Sequence, residues 1–175
     1  RTGFAHLFEH LMFQGSENVP GEYFSHAETA GANLREGGVN GTTNNDRTNY
    51  FETLPSESLE VALFLEADRM HALDLREEVF STQREAVKEE KRLRIDNQPY
   101  ASSFLLVDEL AYRSFPYRHP VIGSMEDLDR ATVADAREFY ERHYAPGNAL
   151  VCVAGDVDPD RAFAAAVVAV VWNFL

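Results

Sequence analysis

Apolar residues recur every three or four positions in two stretches of the chain, which is the spacing of a helix with one buried face. The first predicted helix ends near Phe13, before Gly15, and its apolar positions are Phe4, Leu7, Phe8, Leu11 and Met12. The second runs from about Arg76 to Asp96, and its apolar stripe consists of Val79, Phe80, Ala86, Val87 and Leu93. Polar residues that lie among these apolar positions need partners.

The rest of the pattern predicts a mixture of helices and antiparallel strands. Asn40 to Leu54 is rich in Thr, Asn, Tyr and Phe around a polar centre at residues 44–46, which is typical of a β-hairpin. Leu150 to Ala154 is almost wholly apolar and predicts a buried strand that contains Cys152. Further helices are predicted from Ser56 to about Leu73, Phe104 to Tyr112, Thr132 to about His143, and from Asp158 onward. This irregular alternation indicates the α+β class.

The first helix carries the chemistry that most constrains function, in the run His6-Leu7-Phe8-Glu9-His10. At about 100° per residue, His6 and His10 lie one turn apart with Glu9 between them. Two neutral imidazoles can hold a zinc ion, and a carboxylate that does not bind the metal can take a proton from its water. The alternative is a helix whose histidines are only hydrogen-bonded. A third ligand elsewhere in the fold would decide between the two.

Glu90 is the best candidate for that third ligand. On the second predicted helix it falls within about 10° of the middle of the apolar stripe, whereas Glu89 lies about 110° away. A carboxylate on an inward face is rarely left without pairing or metal coordination. Glu90 is therefore either a metal ligand or half of a buried ion pair.

The order of these pieces resembles the pitrilysin or insulinase family of zinc metallopeptidases, whose signature is the inverted His-x-x-Glu-His motif. The motif is followed by a polar hairpin and by a helix written Gln83-Arg84-Glu85-Ala86-Val87-Lys88-Glu89-Glu90-Lys91-Arg92. Other matching pieces are Arg1-Thr2-Gly3-Phe4-Ala5, Asn40-Gly41-Thr42-Thr43, Thr48-Asn49-Tyr50-Phe51, Asp96-Asn97-Gln98-Pro99-Tyr100, His119-Pro120-Val121-Ile122-Gly123-Ser124, Tyr144-Ala145-Pro146-Gly147-Asn148 and Gly155-Asp156-Val157. The resemblance covers Arg1 to about Asp160.

The resemblance implies an antiparallel or mixed sheet with helices packed on one face, and one zinc ion held by His6, His10 and Glu90. It assigns Glu9 as the general base. It places Asn40 and Gly41 nearest the scissile bond, on an edge strand to which an extended substrate adds as a further strand.

One position departs from the family pattern. Gln83 stands two turns before Glu90, where many members have a second glutamate that assists the site. A glutamine can orient a neighbouring group but carries no charge.

Composition narrows the function further. The formal charge of −13 and the pI near 4.8 argue against nucleic acid and anionic membrane surfaces as partners. The apolar run from Ala164 onward is about twelve residues, too short to span a bilayer, so this segment is not expected to insert in a membrane. One cysteine excludes an intrachain disulfide, and both a cytoplasmic and a periplasmic location stay open.

We therefore expect one catalytic module over residues 1–175, incomplete at both ends. Arg1 stands almost at the motif, which leaves no room for the strands that the family places before it. The expected activity is zinc-dependent hydrolysis of peptide bonds in extended or unstructured polypeptides, together with a second homologous half or subunit. Two alternatives stay open: a noncatalytic partner subunit of the same family, and a zinc-binding fragment that is inert without its second half.

Overall fold

A computed structural model describes the backbone of residues 1–174 and the side chains of residues 1–171, and it contains helices with one small antiparallel hairpin. The predicted α+β class is thereby confirmed, as is the hairpin. The strands are β1 (Val39–Thr43) and β2 (Thr48–Glu52). The helices are α1 (Phe4–Leu11), α2 (Tyr23–Thr29), α3 (Leu59–His71), α4 (Glu77–Lys91), α5 (Ala101–Ala111), α6 (Phe115–Arg118), α7 (Met125–Arg130), α8 (Val133–His143) and α9 (Pro159–Phe174).

The chain divides into two compact units, each built from three segments. Unit 1 contains Arg1–Leu11, Thr42–Asn49 and Leu75–Glu138. Unit 2 contains Met12–Gly41, Tyr50–Asp74 and the chain from Phe139 onward. The expectation of one incomplete catalytic module stays a prediction.

In unit 1, α4 packs against both α1 and α7. The side chains that these three helices bury completely, or almost so, are Leu7, Phe8, Leu11, Phe80, Val87 and Leu128. Burying a side chain of this size stabilises the fold by about 1.5–3 kcal/mol. α4 continues directly into a π-helical turn, Arg92–Asp96, so the helical region predicted to end near residue 96 extends to that point.

The start of α1 is fixed by contacts with α7 and with the residues just before that helix. The backbone N–H and the hydroxyl of Thr2 both donate to Asp127 Oδ2, at 2.8 and 2.7 Å. These hydrogen bonds lower the pKa of Asp127 well below its usual range. Gly3 and Gly123 touch through their backbones, and both have positive φ angles, +86° and +82°. A Cβ on Gly123 would lie 2.6 Å from Gly3 Cα, so this contact requires glycine.

Unit 2 contains a buried arginine that the sequence analysis did not single out. The guanidinium of Arg69, on α3, lies 4.0 Å from the ring centroid of Tyr23 and 4.7 Å from that of Tyr50. It donates to both carboxylate oxygens of Glu66, at 3.0 and 2.5 Å. Such stacking and pairing compensates the loss of water around the buried charge.

A second carboxylate belongs to this cluster. The Tyr23 hydroxyl lies within hydrogen-bond distance of Glu52 Oε2, at 2.7 Å, and of Glu66 Oε1, at 3.2 Å. Burial, together with the nearby charge of Glu66, raises the pKa of Glu52 from 4.5 to about 7. The hydrogen bond from Tyr23 and the charge of Arg69 act in the opposite direction and are weaker.

The predicted strand Leu150–Ala154 is wrong. These residues form neither a strand nor a helix, and Leu150 is 95% exposed. Cys152, expected to be buried, is exposed. A strand needs a hydrogen-bonded neighbour, and within residues 1–174 only β1 and β2 are joined in a sheet. No helix in the described part of the chain combines the length and apolar character that crossing a bilayer requires.

Candidate metal centre

Three of the predicted site residues converge within unit 1. His6 and His10 lie on α1, and Glu90 lies near the end of α4, the helix that packs against α1. Glu90 Oε2 is 3.2 Å from His10 Nε2 and 3.5 Å from His6 Nε2. One ligand atom from each residue can be chosen so that all three lie within 4.8 Å of one another. Glu90 therefore lies beside the histidines, and its role as a metal ligand stays a prediction.

This donor set fits a zinc ion. Zinc binds His nitrogen and carboxylate oxygen at about 2.0–2.2 Å, and a tetrahedral arrangement then places ligand atoms about 3.3–3.5 Å apart. The two measured separations from Glu90 Oε2, 3.2 and 3.5 Å, agree with that spacing. Two imidazoles and one glutamate form one of the common donor sets of catalytic zinc sites, which leave a fourth position for water.

Electrostatics keep His6 suited to metal binding. Burial lowers the pKa of His6 below its ordinary value, although the charge of Glu90 opposes this shift. The neutral imidazole, with a free lone pair, is therefore favoured near pH 7. His6 Nδ1 is buried and finds no hydrogen-bond partner among the described residues, so the ring's recorded polar contact is through Nε2 to Glu90.

Arg94 was missed by the sequence reasoning. Its Nη1 atom lies 2.8 Å from Glu90 Oε1, the carboxylate oxygen other than the one nearest the histidines. Arg94 stands four residues after Glu90, which is a spacing that brings helical side chains together and was a usable signal. A charged partner on the second oxygen orients the carboxylate toward the histidines.

Glu9 also has an unexpected partner. The Thr43 hydroxyl, at the end of β1, donates a hydrogen bond to Glu9 Oε2. Thr43 Oγ1 is in turn 3.2 Å from Thr48 Oγ1 on β2. The hairpin therefore contacts the carboxylate of the predicted general base, and the sequence analysis did not single out either threonine.

The remaining predicted site residues are Gln83, Asn40 and Gly41. Gln83 is half-buried on α4, two turns before Glu90. Asn40 and Gly41 lie in β1, where Asn40 is exposed, Gly41 is buried, and the Asn40 side chain accepts a hydrogen bond from Gly41 N at 2.8 Å. Their roles stay predictions.

Comparison with known proteins identifies relatives along most of the chain. The family model described as Insulinase (Peptidase family M16) matches residues 1–124, and Peptidase M16 inactive domain matches residues 130–167. Zinc protease PqqE of Helicobacter pylori is 35% identical over 164 residues, which are 93% of this chain and 36% of that protein. The chain thus spans little more than a third of this relative.

Solved structures agree with these matches. A protease from Helicobacter pylori superposes with a TM-score of 0.87 at 33% identity, covering 94% of this chain and 39% of that one. The first half of the periplasmic protease PqqL from Escherichia coli gives a TM-score of 0.84 at 26% identity, and the match covers 97% of this chain and 36% of that one. Because the family match extends over most of the described sequence, including the His-x-x-Glu-His run, the chain belongs to the insulinase family of peptidases, family M16.

Proposed function

We propose that this chain is the zinc-binding part of a metalloendopeptidase that cleaves extended or unstructured polypeptides. His6, His10 and Glu90 would hold one zinc ion, and Glu9 would act as general base. The convergence of the two Nε2 atoms with Glu90 Oε2 carries the proposal. The names of the relatives, which are zinc proteases, support it.

The chemistry follows from the roles of the residues. When bound, zinc polarises a substrate carbonyl and lowers the pKa of water. Glu9 accepts the proton of the attacking water and delivers it to the leaving amine, as a general base that becomes a general acid. Arg94 holds the outer oxygen of Glu90, so the inner oxygen keeps its direction.

An extended substrate suits the hairpin. Within the described residues β1 is paired in a sheet with β2 alone, so backbone groups on its other edge have no strand partner there. Addition of a substrate strand uses backbone hydrogen bonds and tolerates many sequences. Asn40 and Gly41 are the proposed contacts, because a residue without a side chain lets another backbone approach closely.

A second half or subunit is part of the proposal, since the chain spans 36% of the relative PqqE and 39% of the protease of known structure. A noncatalytic role is the second candidate, and the match of residues 130–167 to an inactive domain favours it. That match lies outside the motif residues, which are intact.

The test compares zinc content and hydrolysis of an unstructured fluorogenic peptide in three proteins. Wild type is expected to hold one zinc and to cleave the peptide. Glu9→Gln should keep the zinc and lose at least about 100-fold in kcat, because general-base catalysis contributes that much. His10→Ala should lose both. An active Glu9→Gln protein contradicts the mechanism, and zinc without turnover in wild type supports a chain that needs its second half.

A further inference from the structure

We infer that Thr43 is a positioning residue that holds the carboxylate of Glu9 in its working orientation. The inference rests on the proposed function, in which Glu9 is the base. Its basis is the hydrogen bond from Thr43 Oγ1 to Glu9 Oε2, made by a half-buried threonine that the sequence did not distinguish.

The direction of the hydrogen bonds follows from proton counting. A hydroxyl has one proton, and an ionised carboxylate only accepts. Because Thr43 gives its proton to Glu9, the contact of 3.2 Å with Thr48 must be one in which Thr48 donates and Thr43 accepts. The chain of donors therefore runs from Thr48 to Thr43 to Glu9. Each hydrogen bond in such a chain polarises and strengthens the next.

The hairpin end that carries these threonines is itself held in place. Asn44 N donates to Arg47 O at 2.9 Å, and the Asn44 side chain accepts from the backbone N–H groups of Asp46 and Arg47. Asn45 Nδ2 donates to Pro116 O at 2.9 Å, and the Tyr117 hydroxyl donates to Asp46. Both contacts lie within unit 1, so the hairpin end is tied at its turn and by α6.

The two carboxylate oxygens of Glu9 therefore have different roles. Oε2 is occupied by Thr43, and Oε1 is thereby oriented as the atom that exchanges a proton with water and substrate. Losing the hydroxyl would leave the carboxylate in place but free to rotate, and small misplacements of a catalytic group cost large factors in rate.

The experiment compares Thr43→Val, which keeps the shape and removes the hydroxyl, with Thr43→Ser, which keeps the hydroxyl. Thr43→Val is expected to lower kcat about 10- to 100-fold, because the free energy of a hydrogen bond to a charged group corresponds to a rate factor of that size. KM and zinc content should not change. Thr43→Ser should stay within about threefold of wild type. Thr29→Val is the matched control, because Thr29 is exposed and donates to Ser25 O instead.

Two outcomes would overturn the inference: full kcat in Thr43→Val, or an equal loss in Thr43→Ser and Thr43→Val. A second readout does not need turnover, namely the 13C relaxation of the Glu9 carboxyl carbon in the zinc-loaded protein, assigned by its disappearance in Glu9→Gln. Glu9 should be rigid in wild type and Thr43→Ser and mobile in Thr43→Val. If wild type binds zinc but is inert, the proposed activity of this chain fails while the relaxation data still judge the Thr43 contact.

Discussion

Replacing Glu52 by glutamine should make the protein more stable at pH 8 and leave its stability at pH 5 almost unchanged. Glu52 accepts a hydrogen bond from Tyr23 at 2.7 Å, and burial is the main reason why its pKa is raised to about 7. Tyr23, Glu66 and Arg69 are the ionisable groups that face it. Glutamine has the same shape and can still accept from Tyr23, but it carries no charge at any pH.

The magnitude follows from the difference between the two pKa values. The shift from 4.5 to about 7 is 2.5 units, which is about 3 kcal/mol at about 1.4 kcal/mol per unit. Because the folded pKa is raised, the stability that the neutral carboxyl contributes is present below pH 4.5 and is lost as the pH rises through about 7. Partial exposure reduces the figure, so we expect Glu52→Gln to gain about 2 kcal/mol at pH 8.

The assay is urea unfolding followed by near-ultraviolet circular dichroism at pH 5, 6, 7 and 8. In a parallel thermal unfolding experiment, a gain of about 2 kcal/mol corresponds to a Tm increase of about 4–8 °C for a chain of this size. Glu57→Gln is the control, because Glu57 is exposed. An increment for Glu52→Gln that is the same at pH 5 and pH 8, or a loss of stability at pH 8, would show that Glu52 does not titrate in this cluster.

Three further predictions concern unit 1 and its proposed metal site. If the proposed site holds zinc, chelation should lower the Tm of wild type in differential scanning calorimetry, because a ligand at about 1,000 times its Kd stabilises the folded state by about 4 kcal/mol. The Tm of His10→Ala should not change on chelation. Gly123→Ala should cost about 2–4 kcal/mol in urea unfolding because its Cβ meets Gly3, whereas Gly147→Ala, with nothing within 4 Å, should be nearly neutral. At the start of α8, Thr132 and Asp135 form a capping box, in which the side chain of each accepts a hydrogen bond from the other's backbone N–H. Asp135→Ala removes one of these acceptors and should cost about 1 kcal/mol, with Glu141→Ala as the control.

The parts of the site that could be predicted are those set by helical periodicity. His6 and His10 share one face of α1 because they are four residues apart, and Glu90 lies on the apolar face of α4. Since apolar faces pack against each other, these side chains had to meet a neighbouring helix. The capping box at Thr132 was predictable for the same reason, because its partners are only three residues apart.

The parts that could not be predicted depend on partners distant in the chain. Thr43 and Glu9 are 34 residues apart, and their contact follows from tertiary packing that periodicity does not describe. Arg69 shares a helical face with Leu65, but its burial also depends on aromatic rings, carboxylates and the backbone carbonyl of Met12, which periodicity does not reveal. Leu150 to Ala154 is apolar enough for a strand, yet apolarity cannot supply the neighbouring strand that it needs.

His10 and Glu90 are 80 positions apart in the chain, and this separation has a consequence for how the site assembles. Closing a loop of that length costs about 4 kcal/mol of chain entropy, and contacts of high sequence separation slow folding. The chain between them forms most of unit 2. His6 and His10 therefore share one helical turn early in folding, whereas Glu90 joins them only after a long segment has been arranged. A ribosome must therefore release the chain through Glu90 before a nascent chain can complete the cluster. Substitutions in the intervening segment that slow folding should delay assembly of the cluster without changing its final geometry.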